Sequence, residues 1–137
     1  PQFWQQIREN KKARLFKSHD PNYADGGQLR DFVHVSDTVS VMQWLLDSPQ
    51  VSGIFNLGTG QARSFDDLAA AIFNTLDMPR DVEYIPMPDN MRNQYQYFTE
   101  ARMDRLRAAG YDTPFTTLED GVRSYVGDYL ESNDQYV

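Results

Sequence analysis

The 137-residue sequence contains no cysteine. Disulfides, thiolate nucleophiles and cysteine-based zinc sites are therefore excluded. Histidine is scarce: His19 and His34 are the two present, and their separation argues against a metal site. No apolar run approaches the ~20 residues of a membrane-spanning helix. The opening Pro-Gln-Phe-Trp has no basic-then-apolar leader pattern, so the expectation is a cytoplasmic protein with no membrane partner. An opening on Pro1 rather than Met is what a piece of a longer chain would show. Positive charge is in deficit, with 13 Lys and Arg against 20 Asp and Glu and a net charge of −7. Binding to nucleic acid needs clustered basic side chains, and this balance argues against it. The short run Lys11-Lys12-Ala13-Arg14 reads as a solvated face.

What is present fits one modest globular domain over residues 1–137, with a polar, frayed end at 131–137. A chain of this size buries roughly 65–70% of its unfolded surface, and 40% hydrophobic residues suit that. Residues 2–10 read as a helix end with Phe3, Trp4 and Ile7 on one side, and Arg14-Leu15-Phe16 as a short strand. A polar loop, Ser18 to Gln28, follows. Phe32 to Val35 reads as a strand, and Asp37 as the N-cap of a helix carrying Val39, Met42, Leu45 and Leu46. The glycine-bounded run Gly53-Ile54-Phe55-Asn56-Leu57-Gly58 suits a strand buried on both faces, as in a parallel sheet.

Ser64-Phe65-Asp66-Asp67 resembles a capping box, opening a helix through Phe65, Leu68, Ile72 and Leu76. Val82 to Ile85 alternates like a strand and stops at Pro86, and Tyr95 to Phe98 is a further strand candidate. A short helix at Met103 and Leu106 ends at Gly110, and a last one runs from Leu118 to Leu130. The order is mixed α/β.

The chemical motifs are mostly negative. Gly58-Thr59-Gly60 would need a third glycine where Arg63 stands to make a dinucleotide fingerprint, so it reads as a turn. There is no G-x-x-x-x-G-K-[ST] loop, no G-x-S-x-G elbow and no H-E-x-x-H. Asp66-Asp67 and Glu119-Asp120 begin helices, where negative charge favours the dipole. Tyr95 and Tyr97 share one side of a strand, as packing residues would. Arg30 differs: it ends a glycine-containing loop directly before a strand, where a held guanidinium can grip an anion in bidentate fashion. An ion pair with Asp31 or another carboxylate is the competing reading.

Arg30-Asp31-Phe32-Val33-His34-Val35-Ser36-Asp37, followed by Gly53-Ile54-Phe55-Asn56-Leu57-Gly58-Thr59-Gly60, resembles the C-terminal half of the extended short-chain dehydrogenases/reductases. These are the nucleotide-sugar epimerases, dehydratases and reductases. Three later segments resemble the branch acting on ADP-heptose. They are Glu83-Tyr84-Ile85-Pro86-Met87-Pro88-Asp89, Tyr95-Gln96-Tyr97-Phe98-Thr99, and Leu106-Arg107-Ala108-Ala109-Gly110-Tyr111-Asp112. The resemblance covers about Leu15 to Leu130.

It implies the C-terminal, substrate-binding part of a Rossmann-type α/β fold that lacks its N-terminal dinucleotide-binding half. The parent would be an NADP-dependent isomerase that inverts C6 of ADP-heptose for lipopolysaccharide core synthesis. By resemblance Arg30 contacts the substrate diphosphate, Tyr95 contacts substrate, and Phe16, Lys17, Ser18 and His19 form a substrate-contacting segment. The last three stand where the branch has Glu-Gly-Ser, which leaves main-chain contacts. The loop Asp20 to Gln28 is longer than in the branch.

No catalytic, cofactor-binding or metal residue is carried over to this chain, since the Tyr-x-x-x-Lys pair and cofactor turn would lie upstream. The chain alone is expected to be inactive. Because the Ile54–Leu57 strand would belong to the larger sheet, self-association into a homo-oligomer is expected. Alternatives are another nucleotide-sugar epimerase or dehydratase, or a non-catalytic nucleotide-sugar binding module; RNA binding fits the acidic charge poorly.

Overall fold

A computed structural model describes residues 2–92 and 94–132 of the chain. Helix α1 (Gln2–Asn10) leads into strand β1 (Ala13–Phe16), which pairs in parallel with β4 (Val82–Ile85), Ala13 opposite Val82 and Phe16 opposite Ile85. The basic cluster beside β1 meets acid on β4: Arg14 pairs with Glu83, and Lys12 with Asp81 at the strand entrance. A second, three-stranded sheet places β2 (Leu29–Arg30) between antiparallel β3 (Arg63–Ser64) and parallel β5 (Phe98–Thr99). Helices α2 (Val35–Asp47), α3 (Phe65–Thr75), α4 (Asp89–Arg92), α5 (Asp104–Ala108) and α6 (Leu118–Val122) complete the set. From Arg123 to Leu130 the last helix continues in a wider i→i+5 winding, and the Glu131 N–H closes on the Val126 carbonyl at 3.0 Å.

Two apolar clusters hold these elements. Ile7, Leu15, Ile72, Phe73, Val122 and Val126 join α1, β1, α3 and the last helix. Val41, Leu106 and Tyr111 form the other, with Trp44, Phe55, Leu57 and Phe115 packed against it. Local signals in the sequence hold where they are self-contained. Ser64 and Asp67 make the reciprocal capping box of α3. Gly110 follows the C-cap of α5 with φ +107°, a conformation that side chains rarely adopt.

Four expectations are corrected. The strand expected at Phe32 to Val35 begins three residues earlier and is short, at Leu29–Arg30; α2 already begins at Val35. Its N-cap is His34, whose Nδ1 accepts from the Ser36 N–H. Asp37 instead is buried in the first turn and accepts from the Thr116 N–H (3.0 Å) and hydroxyl (2.7 Å). A carboxylate one turn into a helix still gains from the dipole, and here it also ties the helix to a distant loop.

The run Gly53 to Gly58 forms no strand. Phe55 and Leu57 turn inward, whereas Ile54 is 82% exposed. An extended segment becomes a strand only when a neighbour completes its ladder, and no described segment takes that place. The strand expected at Tyr95 to Phe98 is confined to its end, Phe98–Thr99. Of the expected frayed end, residues 133–137 lie outside the described residues.

No described helix is long and apolar enough to cross a membrane. On α2, Val35, Val39, Met42 and Leu46 are all exposed, at spacings that place them on one stripe. A contiguous exposed apolar patch marks a contact surface. Sedimentation velocity is expected to show concentration-dependent association of this chain, and Met42→Asp to reduce it; a single monomeric species at all concentrations counts against this. Asp37→Ala should lower stability by about 2–3 kcal/mol, the scale of losing hydrogen bonds to a charged group, as read by urea unfolding.

Candidate functional site

Arg30 sits in the middle strand of the second sheet, so its backbone is fixed from both sides. Its guanidinium lies between two aromatic faces, 5.6 Å from the Phe65 ring centre and 5.5 Å from that of Tyr95. Such stacking favours a cation and holds it flat. Nη1 donates to the Leu29 carbonyl at 2.7 Å and Nη2 donates to the Gln96 carbonyl. Among the described residues no carboxylate pairs with Arg30. Two of its five N–H donors are thus committed, both to neutral carbonyls, and the positive charge is not cancelled. The ion-pair reading with Asp31 does not describe this side chain.

Asp31 serves a different purpose. Its carboxylate accepts from the Thr59 N–H (2.7 Å) and hydroxyl (2.5 Å), the Gly60 N–H (3.0 Å) and the Ala101 N–H (3.0 Å). Burial by itself would raise its pKa; the bonds from the Thr59 hydroxyl and the Ala101, Thr59 and Gly60 backbone outweigh it and hold the group below its usual range. The Gly58-Thr59-Gly60 turn is therefore wrapped around an internal carboxylate, to which Thr59 and Gly60 give their amides. A methyl on Gly58 would overlap that carboxylate and come within 2.6 Å of the Ala101 methyl, so the close approach requires glycine. This fits the turn reading of those glycines.

Of the other expected residues, Tyr95 lies against Arg30, Phe16 lies against Tyr95, and His19 is linked to the same strand end through Tyr97. Tyr95 meets Phe16 edge to face at 6.2 Å. Burial pushes the Tyr95 hydroxyl above its usual pKa, with the Arg30 charge pulling it down and Tyr97 adding to the rise; it is a neutral phenol at physiological pH. The segment Lys17-Ser18-His19 is tied down by its main chain. Lys17 N–H donates to the Ile85 carbonyl (2.8 Å), Ser18 N–H to Asp25 Oδ1 (2.7 Å) and His19 N–H to the Tyr97 hydroxyl (2.8 Å). The Lys17 and His19 residues are exposed, and Ser18 is half-buried with its hydroxyl on the Asp20 carbonyl. The sequence pointed to Phe16, Lys17, Ser18, His19, Arg30 and Tyr95, and not to Asp31, Phe65, Gln96 and Tyr97 as the groups that hold them. The signal for Asp31 was present, as a carboxylate next to Arg30 with a Gly-x-Gly turn downstream whose amides need acceptors.

A separate polar cleft of about 460 Å³ is lined by Thr59, Arg63, Arg107, Thr116 and Glu119 among others. Both of its guanidinium groups are already committed. Arg63 pairs with Glu119 and Asp67, and Arg107 donates to the Tyr111 and Thr113 carbonyls. Among the described residues no cluster of His, Asp and Glu is arranged to hold a metal ion.

With this geometry in hand, similarity to known proteins is informative. Residues 1–58 match the model of the NAD dependent epimerase/dehydratase family. Over 132 residues, 96% of this chain, the sequence is 52% identical to an ADP-L-glycero-D-manno-heptose-6-epimerase of Nitratidesulfovibrio vulgaris. The chain is thus similar, over part of that family's length, to NAD dependent epimerases/dehydratases. It spans about two fifths of the length of the curated relatives it matches, 41% in that case.

The crystal structure of the Helicobacter pylori ADP-L-glycero-D-manno-heptose-6-epimerase superposes with a TM-score of 0.73 at 27% identity, over 93% of this chain and 36% of that one. A dTDP-glucose 4,6-dehydratase from Bacillus anthracis, in complex with NAD, gives 0.73 at 21% identity over 99% and 40%, which shows the shared fold. The mixed α/β chain is thus part of an extended short-chain dehydrogenase/reductase fold.

A group whose folded pKa is depressed adds stability above its unfolded pKa of about 3.9, and that stability is lost as pH falls through the folded value. Asp31 is such a group. Urea midpoints of the native chain and of Asp31→Asn should differ most near neutral pH and converge as pH drops below about 4; a constant difference across that range would show that the ionised carboxylate is not what holds the turn.

Proposed function

We propose that this chain is the substrate-holding part of an NADP-dependent epimerase that interconverts the C6 epimers of ADP-heptose, in the cytoplasm, for lipopolysaccharide core precursors. Residues 1–137 would form one substrate-binding domain of the longer enzyme. The observation that carries the reading is Arg30, a half-buried cation between two aromatic rings with no acid bound to it among the described residues. Stacking and two carbonyl contacts fix the plane of the guanidinium, and its remaining donors suit the paired oxygens of a diphosphate. Tyr95, stacked on it, and the Phe16–His19 segment, which meets Tyr95 through Phe16, would contact the nucleotide-sugar. The 52% identity to a heptose epimerase supports the choice of sugar.

The family chemistry is hydride removal from and return to a sugar carbon, which the nicotinamide supplies when bound. The residues described here do not fit the cofactor's pyrophosphate. The Thr59 and Gly60 amides of the turn that resembles a phosphate-binding loop are held by Asp31. Arg30, Tyr95 and Phe16–His19 would bind and orient the ADP-sugar, and cofactor and proton-transfer groups are assigned to no residue of this chain. The chain by itself would be inactive, and the enzyme a homo-oligomer.

Titration of ADP-heptose, UDP-glucose and ADP into the product of the complete reading frame tests this, with ADP-heptose expected to bind most tightly. Arg30→Ala should weaken ADP-heptose by roughly 1.5–3 kcal/mol, the scale of a charge-assisted hydrogen bond. Tighter binding of UDP-glucose would move the assignment to another nucleotide-sugar enzyme, and unchanged affinity in Arg30→Ala would remove Arg30 from the site.

A further inference from the structure

Tyr97 connects three parts of the site: the segment that ends at His19, the strand that carries Arg30, and Tyr95. Its hydroxyl accepts the His19 N–H at 2.8 Å, across 78 positions of sequence. Its carbonyl accepts the Leu29 N–H at 2.8 Å, one residue before Arg30. Its ring meets Tyr95 edge-on at 5.6 Å and lies against Tyr23 at 5.1 Å. Tyr23 belongs to the Asp20–Gln28 loop, which is fastened to the same segment a second time by Asp25 on the Ser18 N–H and by the Gly26 N–H on the Phe16 carbonyl. Three stretches distant in sequence, 16–19, 29–30 and 95–97, are thereby fixed relative to one another, with Tyr97 at their junction.

The chemistry of the 16–19 segment makes this matter. The main-chain N–H groups of Lys17, Ser18 and His19 all have internal acceptors. The conformation of that segment is set by those three acceptors, and one of them is a phenol that a single oxygen deletion removes. We propose that Tyr97 is a positioning residue of the nucleotide-sugar site, holding the Phe16–His19 segment in register with Arg30 and Tyr95, and that the Tyr23 ring of the longer loop keeps Tyr97 in place. The inference rests on the site assignment above. It adds a residue that acts through its neighbours, and explains how the segment keeps its shape with Lys-Ser-His at positions 17–19.

Tyr97→Phe removes the hydroxyl and keeps the ring. In the product of the complete reading frame, it is expected to raise the Kd for ADP-heptose by about three- to tenfold, the range for one lost hydrogen bond. Exchange of the His19 amide with solvent, followed by NMR or mass spectrometry, should accelerate while the thermal midpoint moves little. A purely structural strut would lower the midpoint and leave Kd alone; that result overturns the proposal. If Arg30→Ala weakens binding and Tyr97→Phe does not, the positioning role fails while the site assignment stands. If neither weakens it, the site assignment itself fails and takes this inference with it. Should Tyr97→Phe not fold, Tyr23→Ala leaves the hydroxyl and strips one side of the ring. It is expected to raise Kd by about two- to fivefold, a smaller loss than that of the hydrogen bond itself, and an unchanged Kd overturns the proposal.

Discussion

The Asp31 carboxylate is the point on which the described architecture turns. Four hydrogen bonds reach it from two segments that lie 28 to 70 positions downstream. A half-buried carboxylate is tolerated because donors surround it. Its neighbour in sequence, Arg30, is thereby anchored at the end of a two-residue strand that would otherwise be too short to hold anything firmly. The same arrangement separates the two charges. Asp31 faces the Gly58–Gly60 turn, and Arg30 faces the rings of Phe65 and Tyr95. The two adjacent opposite charges thus have different partners, and among the described residues no carboxylate pairs with Arg30.

The aromatic residues extend this order outward. Phe3, Phe65, Phe32, Tyr95, Phe16, Tyr97 and Tyr23 are linked through successive ring contacts and through the Arg30 guanidinium. Rings carry large contact area with few rotatable bonds, so the site is stiff without long strands or many charges. Phe65 shows how economically this is done. It opens α3 behind the Ser64 capping box and at the same time supplies one face of the Arg30 stack.

Much of this was legible in the sequence where the determinants are neighbours. The capping box at Ser64 and Asp67, the glycine after α5 and the helical face of α3 are each specified within a few residues, and each holds. Arg30 stood out by its place before a strand, and Phe16 and Tyr95 by resemblance alone; in the structure Tyr95 touches both of the others. What failed required a partner far away. Phe32–Val35 and Gly53–Gly58 have strand composition, but pairing decides whether an extended segment is a strand, and pairing is not local. Asp37 has the right type for a cap, yet His34 takes that place because Asp37 is claimed by Thr116, 79 positions on. Tyr97 was indistinguishable from a packing residue until its hydroxyl was seen beside the His19 amide.

The exposed stripe of Val35, Val39, Met42 and Leu46 on α2 has a thermodynamic corollary. Contact through such a surface is driven near room temperature by released water rather than by heat. Complexes formed there should tighten on warming out of the cold, strengthen in sulfate, and respond weakly to the ionic screening that would loosen the arginine–acid pairs elsewhere on the surface.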